Sequence, residues 1–208
     1  MTTPDADPAH ERLTRLWRAA KPPGPLLPWD VKRAYHERWV RFHSLPQSKR
    51  YPEDESEYAV LLDRYNTVLD ELFGGGEVYV VTIDWADPAE PTQWSHHLHR
   101  AALHPQGTLW MTWDDPDDAD DPDATPWYFH ADRRPWRRGC ADPLLRAAAD
   151  DALPGVFFTD PGLTRIHYPY EGGADVVLAT PAERDRLRDR HRGWLPGRQI
   201  VEVSMTKR

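Results

Sequence analysis

Residues 58–84, YAVLLDRYNTVLDELFGGGEVYVVTID, change their hydrophobic period at three glycines. Before the glycines, apolar side chains recur at spacings of three and four residues: Tyr58, Leu61, Leu62, Tyr65, Val68, Leu69 and Leu72. This spacing predicts a helix with one broad apolar face, which the glycines end. After them, β-branched and aromatic residues occupy both alternating sets, which predicts a strand buried on both faces. We therefore expect a packed helix that leads directly into a central strand.

On the N-terminal side of this stretch the sequence predicts helices. Three apolar residues share one face of a helix over residues 9–20, and the proline-rich KPPGPLLP ends it because proline lacks an amide donor. Apolar side chains at helical spacing predict a second helix over residues 31–42, with Asp30 as its N-cap.

On the C-terminal side the sequence predicts short strands and two more helices. The strands are expected at residues 108–113, 127–132, 155–159, 164–168 and 175–179. One helix is predicted to start at an Asp142 cap with Pro143 at its first position. The other opens with a Thr180 and Glu183 capping box and continues to residue 195. This order predicts an α+β fold: a mostly antiparallel sheet of about five to six strands packed by helices, with an N-terminal helical segment.

A chain of 208 residues is long enough to bury one continuous core, so we expect one main domain. The predicted divisions are a flexible N-terminus at 1–8, a single α+β domain at 9–195, and a tail or edge strand at 196–208. Within the domain, residues 9–76 form the helical part and residues 77–195 the sheet and its helices.

The composition favours a protein that binds a basic protein partner. A formal net charge of -8 gives no long-range attraction to nucleic acid or to an anionic membrane, and we expect neither as a partner. No run reaches the roughly 20 apolar residues of a membrane helix, and the N-terminus lacks the apolar segment of a signal peptide. A single cysteine, Cys140, cannot form an intramolecular disulfide. We expect a cytoplasmic protein.

The stretch RFHSLPQSKRYPEDESEY, residues 41–58, joins two predicted helices without a regular hydrophobic period. Pro46 and Pro52 fix φ on both sides of QSKRY and keep it out of a helix. The candidate ligand-binding residues here are His43, Ser44, Ser48, Lys49, Arg50 and Tyr51. Their cations would combine with the positive partial charge of the next helix N-terminus to bind an anion. In the structural alternative, the acids at residues 53–55 satisfy that helix dipole themselves.

A second candidate is the predicted hairpin RIHYPYEGGADVVL, residues 165–178. Gly172 and Gly173 permit the positive φ that such a turn requires. The side chains that could bind a ligand or supply an acid and a base are His167, Tyr170, Glu171 and Asp175. The structural alternative is that the glycines serve the turn alone.

Three other polar segments give weaker signals. The acidic run at 114–123 lacks the glycine and the ligand spacing of a calcium loop, which favours a solvated loop or a contact for a basic partner. The histidines of residues 94–104 lack a second zinc-binding half, so we expect a polar surface segment between strands. Cys140 follows four arginines at 133–138; we expect a buried or half-buried cysteine rather than a nucleophile, and arginines paired with the acidic run.

The FHSLPQSKRY loop and the YPYEGGADVV hairpin, with the closing RDRLRDRHRGWL helix, resemble a bacterial family of uncharacterised proteins. The resemblance covers roughly residues 36–195. It implies no activity, because no chemistry is established for such proteins.

Two functional hypotheses follow. The first is a non-catalytic protein-interaction module, for instance of the immunity type, which predicts an exposed aromatic patch of more than about a few hundred Å², with tryptophan among its members, beside negative potential. The alternative is an enzyme or sensor for a small phosphorylated or nucleotide-like ligand, which predicts that the loop and the hairpin converge on a pocket. The sequence contains no phosphate loop, GxGxxG, HExxH or GxSxG motif, so we assign no catalytic residue, cofactor or metal and favour the first hypothesis.

Overall fold

The computed structural model describes residues 8–19, 30–85, 97–114, 126–153 and 155–196. Its helices are α1 (Pro8–Ala19), α2 (Val31–Ala34), α3 (Glu55–Phe73), α4 (His97–Leu103), α5 (Asp142–Ala149) and α6 (Pro181–Arg190). Its strands are β1 (Trp39–His43), β2 (Glu77–Asp84), β3 (Thr108–Trp113), β4 (Trp127–Pro135), β5 (Phe157–Thr159), β6 (Ile166–Tyr170) and β7 (Gly173–Val177). Short 3-10 turns occupy Pro46–Ser48 and Arg192–Trp194.

The strands form one antiparallel sheet in the order β1-β7-β6-β5-β2-β4-β3. The α+β class and the antiparallel sheet are confirmed, but the sheet has seven strands instead of five to six. The predicted hairpin is formed by β6 and β7, which pair from Tyr170 with Gly173 to Ile166 with Val177.

Each face of the sheet carries its own hydrophobic core. Helices α3 and α5 pack on one face, where Val78 and Val80 of β2 point. Tyr79, Val81 and Ile83 of β2 join the core on the other face. Because successive side chains of a strand point to opposite faces, β2 is buried on both sides, as its sequence predicts. The two cores fix β2 near the middle of the fold.

Helix α3 is the element that the sequence predicts best. Its N-cap is Asp54, whose Oδ1 accepts a hydrogen bond from the Glu57 amide at 3.0 Å. At its other end, the Gly74 amide donates to the Asp70 carbonyl at 2.9 Å, and Gly75 has a φ of 74°. The glycines therefore end the helix and allow the sharp turn into β2.

The prediction of a second helix over residues 31–42 is wrong for most of that range. Helix α2 covers only Val31–Ala34, and residues 39–43 form strand β1. The side chains of β1 alternate between half-buried and buried, because β1 pairs with β7 along its whole length. The apolar residues of this stretch fit both periods, and the pairing with a strand more than a hundred residues later decides between them.

Several local predictions also need correction. The described part of the histidine segment, residues 97–104, is only partly on the surface: residues 97–103 form α4, His99 is exposed, and both Arg100 and His104 are buried. Asp142 is the first residue of α5 rather than its cap, which is Ala141. Cys140 is exposed instead of buried or half-buried.

Some predictions fall outside the described residues. These are the acidic run beyond Asp114 and the predicted tail beyond residue 196. The N-terminus predicted to be flexible also lies outside them up to residue 7, and α1, which begins at Pro8, corresponds to the helix predicted over residues 9–20. Among the helices that the structure describes, none is both long and apolar enough to cross a membrane.

Gly173→Ala is expected to weaken the β1–β7 pairing. A Cβ at Gly173 would overlap the backbone carbonyl oxygen of Phe42, which cannot move without disturbing β1. We expect the free energy of unfolding, measured by urea denaturation, to fall by about 1–3 kcal/mol. The matched control is Gly193→Ala, where a Cβ has no described neighbour within 4 Å, and it should change stability by less than about 0.5 kcal/mol. Equal stability of the two variants would contradict the proposed contact.

Candidate functional site

The loop at 44–51 and the hairpin at 165–178 lie together in the structure. Antiparallel pairing aligns His43 with Gly173, and the Ser44 amide donates to the Gly172 carbonyl at 3.2 Å. The His43 Nδ1 lies 3.3 Å from the same carbonyl oxygen. Arg50 packs against Gly172, whose φ is 85°. Two stretches that are distant in sequence therefore form one end of the fold.

The two cations of the loop are both paired with carboxylates. The Lys49 Nζ donates to both Glu57 carboxylate oxygens at 2.6 and 2.7 Å, and Glu53 lies at 3.2 Å. The hydrogen bond to Glu57 raises the pKa of Lys49 and lowers that of Glu57. Arg50 donates to Glu171 of the hairpin, which raises the pKa of Arg50. These contacts use the positive charges that an anion would need.

The candidates Tyr170 and Asp175 belong to a cluster on the face of the sheet away from α3. Asp175 is 3% exposed and accepts two hydrogen bonds from Arg41, at 2.7 and 3.0 Å. Its Oδ1 also accepts from the Tyr170 hydroxyl at 3.3 Å. The hydrogen bond to Asp175 is the largest cause of a raised pKa for Arg41, whereas burial is the largest cause for Tyr170. The ring centroids of Trp39 and Tyr170 lie 5.5 and 5.3 Å from the Arg41 guanidinium carbon. The charged groups of this cluster therefore find their partners within the cluster.

The candidates Ser44 and His167 are buried on the opposite face, under α3. His167 is fully buried between the rings of Tyr65 and Phe158, with centroid distances of 5.6 and 6.1 Å. Neither ring nitrogen has a hydrogen-bond partner among the described residues. The Tyr65 hydroxyl lies 2.8 and 2.9 Å from the carbonyl oxygens of Gly173 and Tyr170, and it fixes α3 to the turn of the hairpin.

The ten candidates therefore occupy different environments and do not line one cleft. Ser44 and His167 lie in the core, Tyr170 and Asp175 lie on the opposite face, and the others surround the turn at the end of the sheet. Arg41, the partner of Asp175, is not among the residues predicted from the sequence, because a helix is expected there. The alternation of residues 39–43, WVRFH, is the signal that could have placed Arg41 opposite a hairpin residue.

At this end of the fold, contacts link the start of α3, the end of α5 and the hairpin turn into one surface, which we call the acidic surface. Its members are Lys49, Arg50, Tyr51, Glu53, Asp54, Glu55, Glu57, Tyr58, Arg146, Asp150, Asp151 and Glu171. The Tyr58 hydroxyl donates to Asp150 at 2.6 Å, and Arg146 donates to Glu55 at 2.6 and 2.8 Å. Seven carboxylates thus accompany three cations.

The acidic surface also exposes an aromatic side chain. Tyr51 is 46% exposed, and the Arg50 guanidinium lies 5.4 Å from its ring. The other exposed large apolar side chains among the described residues are Val60 and Leu109. Every described tryptophan is buried or half-buried, so the expected aromatic patch is reduced to Tyr51 alone. Tyr51 and the surrounding carboxylates therefore form a surface suited to contact with a cationic protein.

Within the described part of the chain, no three histidine, cysteine, aspartate or glutamate side chains are grouped closely enough to hold a metal ion. The loop and hairpin are instead organised by hydrogen bonds and ion pairs between protein groups.

Most of the chain matches a known protein-family model. A model described as "Domain of unknown function (DUF3885)" covers residues 27–199. No curated protein and no solved structure matches the chain. The matched region contains both the loop and the hairpin.

His167→Leu is expected to change how stability depends on pH. Burial lowers the pKa of His167 from 6.5 to about 3, so the unfolded chain binds a proton between these values and the folded chain does not. The wild type therefore loses stability as the pH falls below about 6.5, by about 1.4 kcal/mol per pH unit from this group. Between pH 7 and pH 5, urea denaturation should show the variant gaining about 2 kcal/mol relative to the wild type.

The control for this measurement is the exposed His36. His36→Leu should keep the pH dependence of the wild type. If the curves of His167→Leu and the wild type run parallel from pH 7 to pH 5, the buried neutral imidazole is not the source of acid sensitivity.

Proposed function

Because the chain belongs to the family described as a domain of unknown function, DUF3885, we propose its function from the geometry alone. The protein is a non-catalytic protein-interaction module that binds a basic protein partner through the acidic surface.

The excess of carboxylates around the exposed Tyr51 is the observation that carries this proposal. Lys49, Arg50 and Arg146 are each paired with a carboxylate of the same surface. Four carboxylates remain in excess, and two of the most exposed acidic side chains, Glu53 and Glu55, are about 80% accessible. Such a surface attracts a cationic partner over a distance and offers an aromatic contact once the partner has docked.

The overall charge supports the same conclusion. A net charge of -8 adds a long-range attraction toward positive partners, and this attraction speeds encounter. The pairing of Lys49 and Arg50 argues against the alternative that the loop binds a phosphorylated ligand, because an incoming phosphate would have to compete with Glu57 and Glu171.

We also infer that the protein is cytoplasmic, and that its bacterial relatives share the loop and hairpin motifs. The direct contacts of residues 43, 44 and 50 with the hairpin turn give the two motifs a physical reason to occur together. An immunity protein, which neutralises a toxin by binding it, is one form that such a module can take.

A capture experiment followed by direct binding tests the proposal. Wild-type protein and the Tyr51→Ala variant are used as baits in lysate of the source organism, and proteins enriched by the wild type are identified by mass spectrometry. We expect these proteins to be basic. With the purified partner, Tyr51→Ala should weaken binding about tenfold, because truncating an aromatic anchor typically costs more than 1 kcal/mol.

Charge variants separate the acidic surface from the net charge of the protein. Glu53→Gln combined with Asp151→Asn removes two charges from the surface and leaves the Asp54 cap intact; Asn tolerates the φ of 56° at residue 151. It should slow association and reduce its salt dependence. The matched control, Glu37→Gln with Asp189→Asn, removes the same charge elsewhere and should have a much smaller effect. A partner that binds all variants equally, or an acidic partner, would overturn the proposal.

A further inference from the structure

A polar cleft lies at the opposite end of the sheet order from the loop and the hairpin. It encloses about 530 Å³ between the start of α1, the turn before β3, and the end of β4. Its polar lining residues are His10, Gln106, Thr108, Asp132, Arg133 and Arg134. Its volume is in the range of small-molecule sites. Asp132 is the one carboxylate in this lining, against two arginines.

A buried chain of hydrogen bonds holds Asp132 in place. The His104 Nε2 lies 2.6 Å from Asp132 Oδ1, and because a carboxylate only accepts hydrogen bonds, this nitrogen donates. The His104 Nδ1 lies 2.9 Å from the Thr82 hydroxyl. Thr82 and His104 are fully buried, and both polar atoms of the imidazole are satisfied. Asp132 is therefore held in place by buried groups that do not line the cleft themselves.

Asp132 in turn orients Arg134. The guanidinium donates from Nε to Asp132 Oδ2 at 2.7 Å and from NH2 to Oδ1 at 2.6 Å. An arginine has five N–H donors in a planar fork, so three remain after these two bonds. For the NH1 atom, the described residues provide no hydrogen-bond partner. The Arg134 side chain is 24% exposed, against 62% for Arg50 in the loop.

We propose that this cleft binds a small molecule through a carboxylate or phosphate group, which is held by the free edge of the Arg134 guanidinium. Arginine presents parallel N–H groups that match both kinds of oxyanion. Arg133 also lines the cleft, but its side chain leaves β4 on the other face of the sheet, and one of its guanidinium nitrogens is bonded to Glu77. His10, Gln106 and Thr108 contact the rest of the molecule. The site is separate from the acidic surface, and neither proposal depends on the other.

Partial burial favours anion binding at this cleft over anion binding at the loop of residues 44–51. The Lys49 amine already contacts both Glu57 and Glu53, and the Arg50 side chain is 62% exposed to water, where charge interactions weaken. Arg134 is also paired, but its NH1 edge stays unbonded and its side chain lies where protein excludes more of the solvent. Arg134 also loses less side-chain entropy on binding, because Asp132 and the buried chain behind it already fix its orientation.

The test is a titration of the full chain with inorganic phosphate and, separately, with glutarate, followed by backbone amide shifts in NMR at constant ionic strength. We expect saturable shifts at Gln106, Thr108 and Arg134 with at least one probe, and the comparison of the two identifies the preferred oxyanion. Arg134→Gln should raise the dissociation constant at least tenfold. Arg137→Gln, which removes the same charge from an exposed side chain three residues away, should change it less than twofold.

Two results would overturn the proposal. One is shifts that stay linear with both probes, or that map to residues 44–51 instead of the cleft. The other is an equal loss of affinity in Arg134→Gln and Arg137→Gln, which would show attraction to net charge alone. The wild-type shift map decides the matter even if Arg134→Gln does not fold.

Discussion

The antiparallel pairing of β1 with β7 is the contact on which the site at the end of the sheet depends. Its register places Arg41 beside Asp175, whose buried carboxylate would be left without a cation by a slip of one residue. The pairing also brings Phe42 so close to Gly173 that no side chain fits between them. Because β1 lies in this place, the loop that follows it must meet the hairpin turn before the chain enters α3.

The distribution of charge at this end follows from that meeting. Lys49 turns back to Glu57 in the first turn of α3, and Arg50 reaches Glu171 in the hairpin. The two cations therefore act as connections within the fold, and the carboxylates that they leave unpaired give the surface its negative character. Ion pairs this exposed contribute little stability individually. Their larger effect is to order the loop and to decide the sign of the surface that a partner meets.

Two buried histidines show how differently the fold treats the same side chain. His104 has hydrogen bonds at both nitrogens. It orients Asp132, which in turn orients Arg134. His167 has aromatic neighbours and, among the described residues, no hydrogen-bond partner for its ring nitrogens. It therefore stays neutral in the folded chain, and the free energy of unfolding falls at acidic pH. A satisfied buried network can hold a functional group in place, whereas an unsatisfied one is a weak point. The first arrangement orients Arg134 in the cleft, and the second leaves the core under α3 sensitive to acid.

The sequence by itself determined α3, the glycine turn, the doubly buried β2 and the hairpin, because each carries its period or turn chemistry within a short window. It also predicted the loop and the hairpin as the polar segments of interest. Only the tertiary structure decided that residues 39–43 are a strand, that Arg41 belongs to Asp175, and that the loop cations are already paired. The cleft around Arg134 could likewise not be predicted from the sequence, because its residues come from α1, the turn before β3, and β4. Those outcomes depend on contacts between residues far apart in the chain, and the spacing of residues within a short window does not indicate which distant residues they contact.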